Sequence, residues 1–170
     1  FLFFDYYMVK FSENHSKHSD ISTSYVNNVI SEYISSHIAQ TTGLPVHETK
    51  LGFYNDELVV ACRDFREKGE SNYEFQEFLR AMYDSKDSRK FVKLYQVYAV
   101  YDNEQIFPKE LREDAIDRFW DTFVIDAFVG NFDRHTGNWG FLINDDNIRL
   151  SPLYDFGSTL LPQLSEEGMM

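Results

Sequence analysis

Apolar spacing divides the chain into a short β-rich part followed by a longer helical one. Asp5-Tyr6-Tyr7-Met8-Val9-Lys10-Phe11 is rich in β-formers and predicts a strand. The run from Ser12 to Ser24, with five serines and two histidines, predicts a loop. A helix follows, with Ser24 as N-cap, Val26, Val29, Ile30, Tyr33, Ile34 and Ile38 as its apolar stripe, and Gly43 closing it. Val46 to Tyr54 and Glu57 to Phe65 flank Asn55-Asp56 and predict a β-hairpin. Beyond it, Tyr73 to Tyr83 and Arg89 to Tyr101 carry helix-spaced apolar residues. Pro108 opens a long helical segment that ends at Gly130. Its expected buried face holds Ile116, Phe119, Trp120, Phe123, Val124, Ala127 and Phe128. Trp139 to Ile143 and Ile148 to Ser151 form a second hairpin around Asp145-Asp146-Asn147.

A chain of 170 residues is one ordinary domain or two small lobes sharing a cleft. The 43% apolar content suffices for a real core, and only Ser12 to Ser24 has a composition compatible with disorder. The apolar clusters at Phe1 to Val9 and Phe123 to Val129 each contain an Asp and are too short to span a bilayer, so no membrane insertion is expected. No signal peptide pattern is visible, and the chain opens on Phe rather than Met. Cys62, the single cysteine, excludes an internal disulfide framework and fits a reducing cytoplasm. The plain reading of that residue is a small buried apolar side chain. A net charge of −12 argues against direct nucleic-acid binding and, more gently, against anionic membranes. It would steer a basic protein partner favourably, or simply keep the protein soluble.

The chemistry concentrates in two segments. Gly130-Asn131-Phe132-Asp133-Arg134-His135-Thr136-Gly137-Asn138 is a loop, and Tyr154-Asp155-Phe156-Gly157 follows the second hairpin. Phosphoryl transfer needs oxygen ligands for a metal, a cation on the nucleotide phosphates and a carboxylate near the acceptor hydroxyl. Asp133 and Asn138 lie five apart in the loop, and the hairpin would return Asp155 to the same end of the fold. The alternative is that Asp133, Asn138 and Asp155 only make turns, which explains the tolerance for Asp and Asn but not two adjacent acidic turns each followed by Gly. His15 and His18 lack the co-ligand pattern of a metal site and read as solvated loop residues.

The chain resembles the HipA-like serine/threonine kinases, of the compact, cell-translocating kinase type, whose fold is related to the phosphoinositide 3-/4-kinases. The segments that carry the likeness are Tyr7 to Phe11, Ile30 to Tyr33, Gly43 to Val46, Leu58 to Phe65, the loop at Asp133, and Leu150 to Asp155. The resemblance implies an α+β, two-lobed protein-kinase-like fold, truncated at both ends. Residues 1–66 would be a small β-rich N-lobe, and residues 67–170 a mainly helical C-lobe. It implies ATP and Mg²⁺ as cofactors, with Lys10 on the phosphates and Glu32 paired to it. Cys62, Arg63, Asp64 and Phe65 would be the hinge against adenine. Asp133 would be the base, Asn138 and Asp155 the Mg²⁺ ligands, and His135 a support for the loop or a group near the γ-phosphate. Read alone, Lys10 and Glu32 are ordinary surface charges, and His135 is a loop histidine bonded to nearby backbone.

Arg134 is expected to brace the loop through carbonyls or an acid, and Asp126 to tie the loop down, since a buried carboxylate needs a partner. The family also implies a Gly/Ser-containing phosphate-binding segment ahead of the Lys strand and helices after Asp155; neither lies within residues 1–170. The expected activity is transfer of the γ-phosphate to a Ser or Thr hydroxyl of a protein, with autophosphorylation in Ser12 to Ser24. A lipid or small-molecule kinase and a nucleotide-binding module without turnover are the alternatives. The expected location is the cytoplasm, with secretion or translocation implied by the family likeness. The acceptor and any antitoxin-like or oligomeric partner are not legible.

Overall fold

The computed structural model describes residues 6–12, 27–83 and 92–162. Asp5, the cap Ser24, Val26, His15, His18, Arg89 and all but Ser12 of the serine-rich run lie outside the described residues. The fold is α+β, as expected, with two three-stranded antiparallel sheets and four helices among the described residues. Contacts group the chain into two units. One holds residues 1–64, 126–133 and 154–170; the other holds residues 65–125 and 134–153. This is a different partition from a single division at residue 66, because the loop before Asp133 and the turn at Asp155 group with the first 64 residues.

In the first unit, β1 (Tyr7–Phe11), β2 (Thr49–Tyr54) and β3 (Glu57–Arg63) form a sheet in the order β1-β3-β2. Lys10 pairs with Val60 in register. The hairpin turns on Asn55 and Asp56, both at positive φ (49° and 64°), the two-residue geometry whose twist matches the strands. Short polar side chains tolerate this left-handed backbone better than others do. Helix α1 (Asn28–Thr41) ends as read: Gly43, at φ 84°, donates its N–H to the Gln40 carbonyl.

The buried face of α1 is not the expected stripe. Val29 is buried, but with it go Ser31, Glu32, Ser35, Ser36 and Ala39, whereas Ile30 and Ile34 are exposed. Hydrogen bonds make the polar face buriable. Ser35 Oγ lies 2.6 Å from Thr159 Oγ1, Ser36 Oγ lies 3.1 Å from His47 Nε2, and Glu32 is fully bonded. The apolar core beneath is small: Val29, Val60 and Cys62, flanked by Tyr33 and Leu58.

In the second unit, β4 (Ser71–Glu74), β5 (Gly140–Ile143) and β6 (Ile148–Leu150) form a sheet in the order β4-β5-β6. Helices α2 (Phe75–Tyr83), α3 (Leu94–Tyr101) and most of α4 (Lys109–Val129) accompany it. Tyr73 and Glu74, expected to begin a helix, are instead strand residues paired with Phe141 and Gly140. Backbone pairing with β5 overrides their helical spacing. The core is aromatic: Phe75, Tyr101, Phe107 and Phe141 with Leu79, Val97, Val100 and Ala115. Phe107 and Phe141 have ring centroids 4.6 Å apart.

Helix α4 corrects a second expectation. Ile116 and Phe119 do pack on the core, but Trp120, Phe123, Val124, Ala127 and Phe128 are exposed. The buried positions are Ala115, Thr122, Ile125, Asp126 and Val129. That stripe includes polar residues made buriable by local bonds, such as Thr122 Oγ1 to the Arg118 carbonyl at 2.7 Å. No helix of the described residues is long and apolar enough to cross a membrane.

Candidate active site

Lys10 sits on β1, and its side chain is held from two sides. Nζ donates to Glu32 Oε2 at 2.7 Å and to Asp155 Oδ1 at 2.8 Å. Glu32, in the middle of α1, is wholly buried, while Asp155 is nearly half exposed. The second oxygen of Glu32 is also occupied. Oε1 accepts the Phe156 N–H at 3.0 Å and lies 3.0 Å from His47 Nε2. Burial alone would push the Glu32 carboxyl up; the hydrogen bond from His47 and the charge of Lys10 outweigh it and hold the pKa at about 2. Burial likewise opposes the Lys10 ammonium, but Glu32 first and Asp155 second raise its pKa above the ordinary lysine value.

The turn that presents Asp155 is built on unusual backbone. Asp155 itself has φ 64°, and Leu160 and Leu161 follow at 55° and 53°. Such conformations cost energy and persist only where the surroundings fix them. Here they do: Phe156 is fully buried, its carbonyl accepts Thr159 Oγ1 at 2.7 Å, and the Leu160 N–H donates to the Val129 carbonyl at 3.0 Å.

Asp133 arrives by a different route. Gly130, at φ 66°, reverses the chain at the end of α4, and the Asn131 N–H returns to the Asp126 carbonyl at 2.8 Å, closing a Schellman motif. Asn131 Nδ2 also donates to Asp126 Oδ1 at 2.8 Å, and Asn131 Oδ1 accepts the Asp133 N–H at 3.3 Å. Asp126 is thus the buried anchor of this corner, with Asn131 as the link. The sequence singled out Asp126 because it lies on a helix face too apolar to leave a carboxylate unbonded.

Lys10, Phe11, Asn28, Asp133, Asp155, Gly157 and Ser158 line one cavity of about 480 Å³. Three of the expected site residues, Lys10, Asp133 and Asp155, therefore share a cavity, with Glu32 behind the lysine. Cys62, Arg63 and Asp64 are not among its lining residues. The Arg63 N–H goes to the Glu48 carbonyl and the Asp64 N–H to the Tyr6 carbonyl, both at 2.8 Å. Both N–H groups are thus engaged by neighbouring backbone. Burial pushes the Cys62 thiol up to about 12, so it remains protonated and unreactive.

Phe65, Arg134, His135 and Asn138 belong to the second unit. The Phe65 carbonyl accepts Arg149 Nη2 at 3.4 Å, and Arg149 in turn forks onto Glu70 at 2.6 and 2.7 Å. Arg134 Nη1 braces the loop through the Asn138 carbonyl at 3.1 Å, and the buried Asn138 donates its N–H to the His135 carbonyl at 2.8 Å. His135 Nδ1 accepts the Gly137 N–H at 3.1 Å, the backbone-bonded arrangement of a loop histidine. His47, Ser35, Ser36 and Thr159 went unseen in the sequence. No spacing rule marks them, because their partners are 11 to 124 residues away.

Residues 3–170 match the family described as HipA-like C-terminal domain. The chain is 41% identical over 163 residues to the serine/threonine-protein kinase CtkA of Helicobacter pylori strain J99, across 94% of this chain and 48% of that protein. The crystal structure of the H. pylori proinflammatory kinase CtkA aligns with a TM-score of 0.79 at 35% identity, covering 95% of this chain and 54% of that one. HipA of Shewanella oneidensis MR-1, solved with HipB and operator DNA, aligns at 0.59 and 17% identity, over 88% of this chain and 36% of its own, a likeness of fold. The chain spans about half the length of the kinase it matches.

Proposed function

The chain belongs to the HipA-like C-terminal domain family, and on that premise we propose that it carries the catalytic centre of an ATP- and Mg²⁺-dependent protein serine/threonine kinase. The observation that carries this reading is Lys10, bonded to both Glu32 and Asp155 at the wall of a cavity that Asp133 also lines. A lysine held by a buried helix carboxylate is the phosphate-binding cation of kinase chemistry. The donor set fits the nucleotide and its ion: one cation, two carboxylates, and a cavity within the size range of small-molecule sites.

In this reading Lys10 holds the α/β-phosphates, and Glu32 keeps the ammonium in place. Asp155 would hold Mg²⁺, with Asn138 as co-ligand by the sequence motif. When bound, Mg-ATP supplies an activated γ-phosphoryl group whose charge the ion neutralises. Asp133 orients the acceptor hydroxyl and takes its proton; Asp126 and Asn131 keep that carboxylate placed. His135 and Arg134 brace the loop that follows. The acceptor is a Ser or Thr of a protein, and the net charge of −12 favours a basic one. Autophosphorylation belongs to the same proposal.

The test is transfer of labelled γ-phosphate by the full-length protein to itself and to histones. Label in wild type and its loss in Asp133→Ala supports the assignment. Equal label in both removes Asp133 from the mechanism. Tight Mg-ATP binding without transfer would indicate a nucleotide-sensing module, and label on phosphoinositide vesicles alone would indicate a lipid kinase.

A further inference from the structure

His47 lies outside the expected site, between α1 and β2, and only 4% of it is exposed. Its Nε2 is 3.0 Å from Glu32 Oε1 and 3.1 Å from Ser36 Oγ. A carboxylate can only accept, so Nε2 is the nitrogen that carries the proton, and it donates to Glu32. Glu32 therefore receives three N–H groups from three separate segments: Lys10 from β1, Phe156 from the turn after Asp155, and His47.

Cys62 Sγ completes a buried cluster whose ligand atoms lie within 4.8 Å of one another. Both Glu32 oxygens in it are engaged by N–H donors, and burial raises the pKa of the thiol.

The consequence concerns how Lys10 is shared. Its ammonium bonds to Glu32 and Asp155 at nearly equal distances, 2.7 and 2.8 Å. Glu32 can hold its share only while its own carboxylate is fixed. We propose that His47 is a positioning residue that fixes Glu32 and so keeps Lys10 directed at the nucleotide phosphates instead of collapsing onto Asp155. The neutral amide of Gln places an N–H close to where the Nε2–H of His lies. Ala and Asn cannot reach Glu32.

This inference rests on the kinase reading, and the experiment separates the two. Mg-ATP dissociation constants are measured by calorimetry for the full-length wild type, His47→Ala, His47→Gln, Lys10→Ala and the Lys10→Ala/His47→Ala double variant, with His47→Asn in place of His47→Ala if the latter does not fold. His47→Ala is expected to weaken binding by about 10- to 100-fold, the range typical of lost supporting hydrogen bonds. His47→Gln is expected to stay close to wild type. In the Lys10→Ala background the His47 change is expected to lose most of its effect, leaving only what Glu32 passes to the Asp155 turn through the Phe156 N–H. Undiminished binding in His47→Ala, no rescue by Gln, or a loss of the same size without Lys10 would overturn the proposal. Absence of Mg-ATP binding in the wild type would instead sink the kinase reading, and the role of His47 with it.

Discussion

The Phe156 N–H donates to Glu32 Oε1 at 3.0 Å, joining the turn that carries Asp155 to the middle of α1 across 124 residues of sequence. One carboxylate thereby sets the position of a strand lysine and of an acidic turn. Removing it leaves the half-buried Lys10 ammonium without its helix partner and the buried Phe156 N–H without an acceptor. Glu32→Ala is expected to destabilise the protein by about 2–4 kcal/mol, the cost of leaving the Phe156 and His47 donors unsatisfied while Lys10 keeps Asp155. Urea unfolding measures it.

The same carboxylate predicts a pH dependence. The folded pKa of Glu32, about 2, is below its ordinary 4.5. Its contribution is therefore complete above pH 4.5 and is lost as pH falls toward 2. Lys10 is raised above its ordinary 10.5, so its contribution is complete below that pH and is lost as pH rises through the folded value. The stability difference between wild type and Glu32→Gln should be flat at neutral pH and shrink below 4.5. A difference that stays constant down to pH 2 would contradict this account.

Gly140 is a position where only hydrogen fits. A methyl there would fall on the Tyr73 carbonyl oxygen and within 2.9 Å of Glu74 Cα, backbone atoms of the paired strand β4. Gly140→Ala is expected to cost about 1–3 kcal/mol through overpacking. Thermal unfolding reads this directly, and an unchanged melting temperature would count against the β4–β5 register.

Asn131 links the buried Asp126 carboxylate to the Asp133 backbone. Asp126→Ala leaves the Asn131 amide without its carboxylate and should cost about 1–3 kcal/mol. Faster amide exchange at residues 130–133, with the sheet β1-β3-β2 unchanged, would show that the loss is confined to this corner.

Much of the architecture was legible because local rules govern it. The Asn55-Asp56 hairpin and the Gly43 and Gly130 stops are each fixed by backbone conformations that few residues adopt, and the Asp145-Asp146-Asn147 turn by the Asn144 side chain, which accepts the Asp146 and Asn147 N–H groups. The faces of α1 and α4 were misread for one shared reason. Helical spacing counts Ser35, Ser36 and Thr122 as solvent-facing, whereas each has a hydrogen-bond partner that makes burial tolerable. The cavity residues Asp133 and Asp155 could be named from motif and spacing, and Lys10 only from the family likeness. His47 could not, because its role depends on a contact made only when α1 and the segment before β2 come together.

The most direct test of the central claim is calorimetric ATP binding by the full-length protein with and without Mg²⁺, in wild type and Asp155→Asn. The account predicts that Mg²⁺ strengthens ATP binding in the wild type and that Asp155→Asn abolishes this strengthening. Lys10→Ala should weaken ATP whether or not the ion is present. An Mg²⁺ effect of the same size in Asp155→Asn as in wild type would contradict the assignment of Asp155 and, with it, the reading of this cavity as a kinase centre.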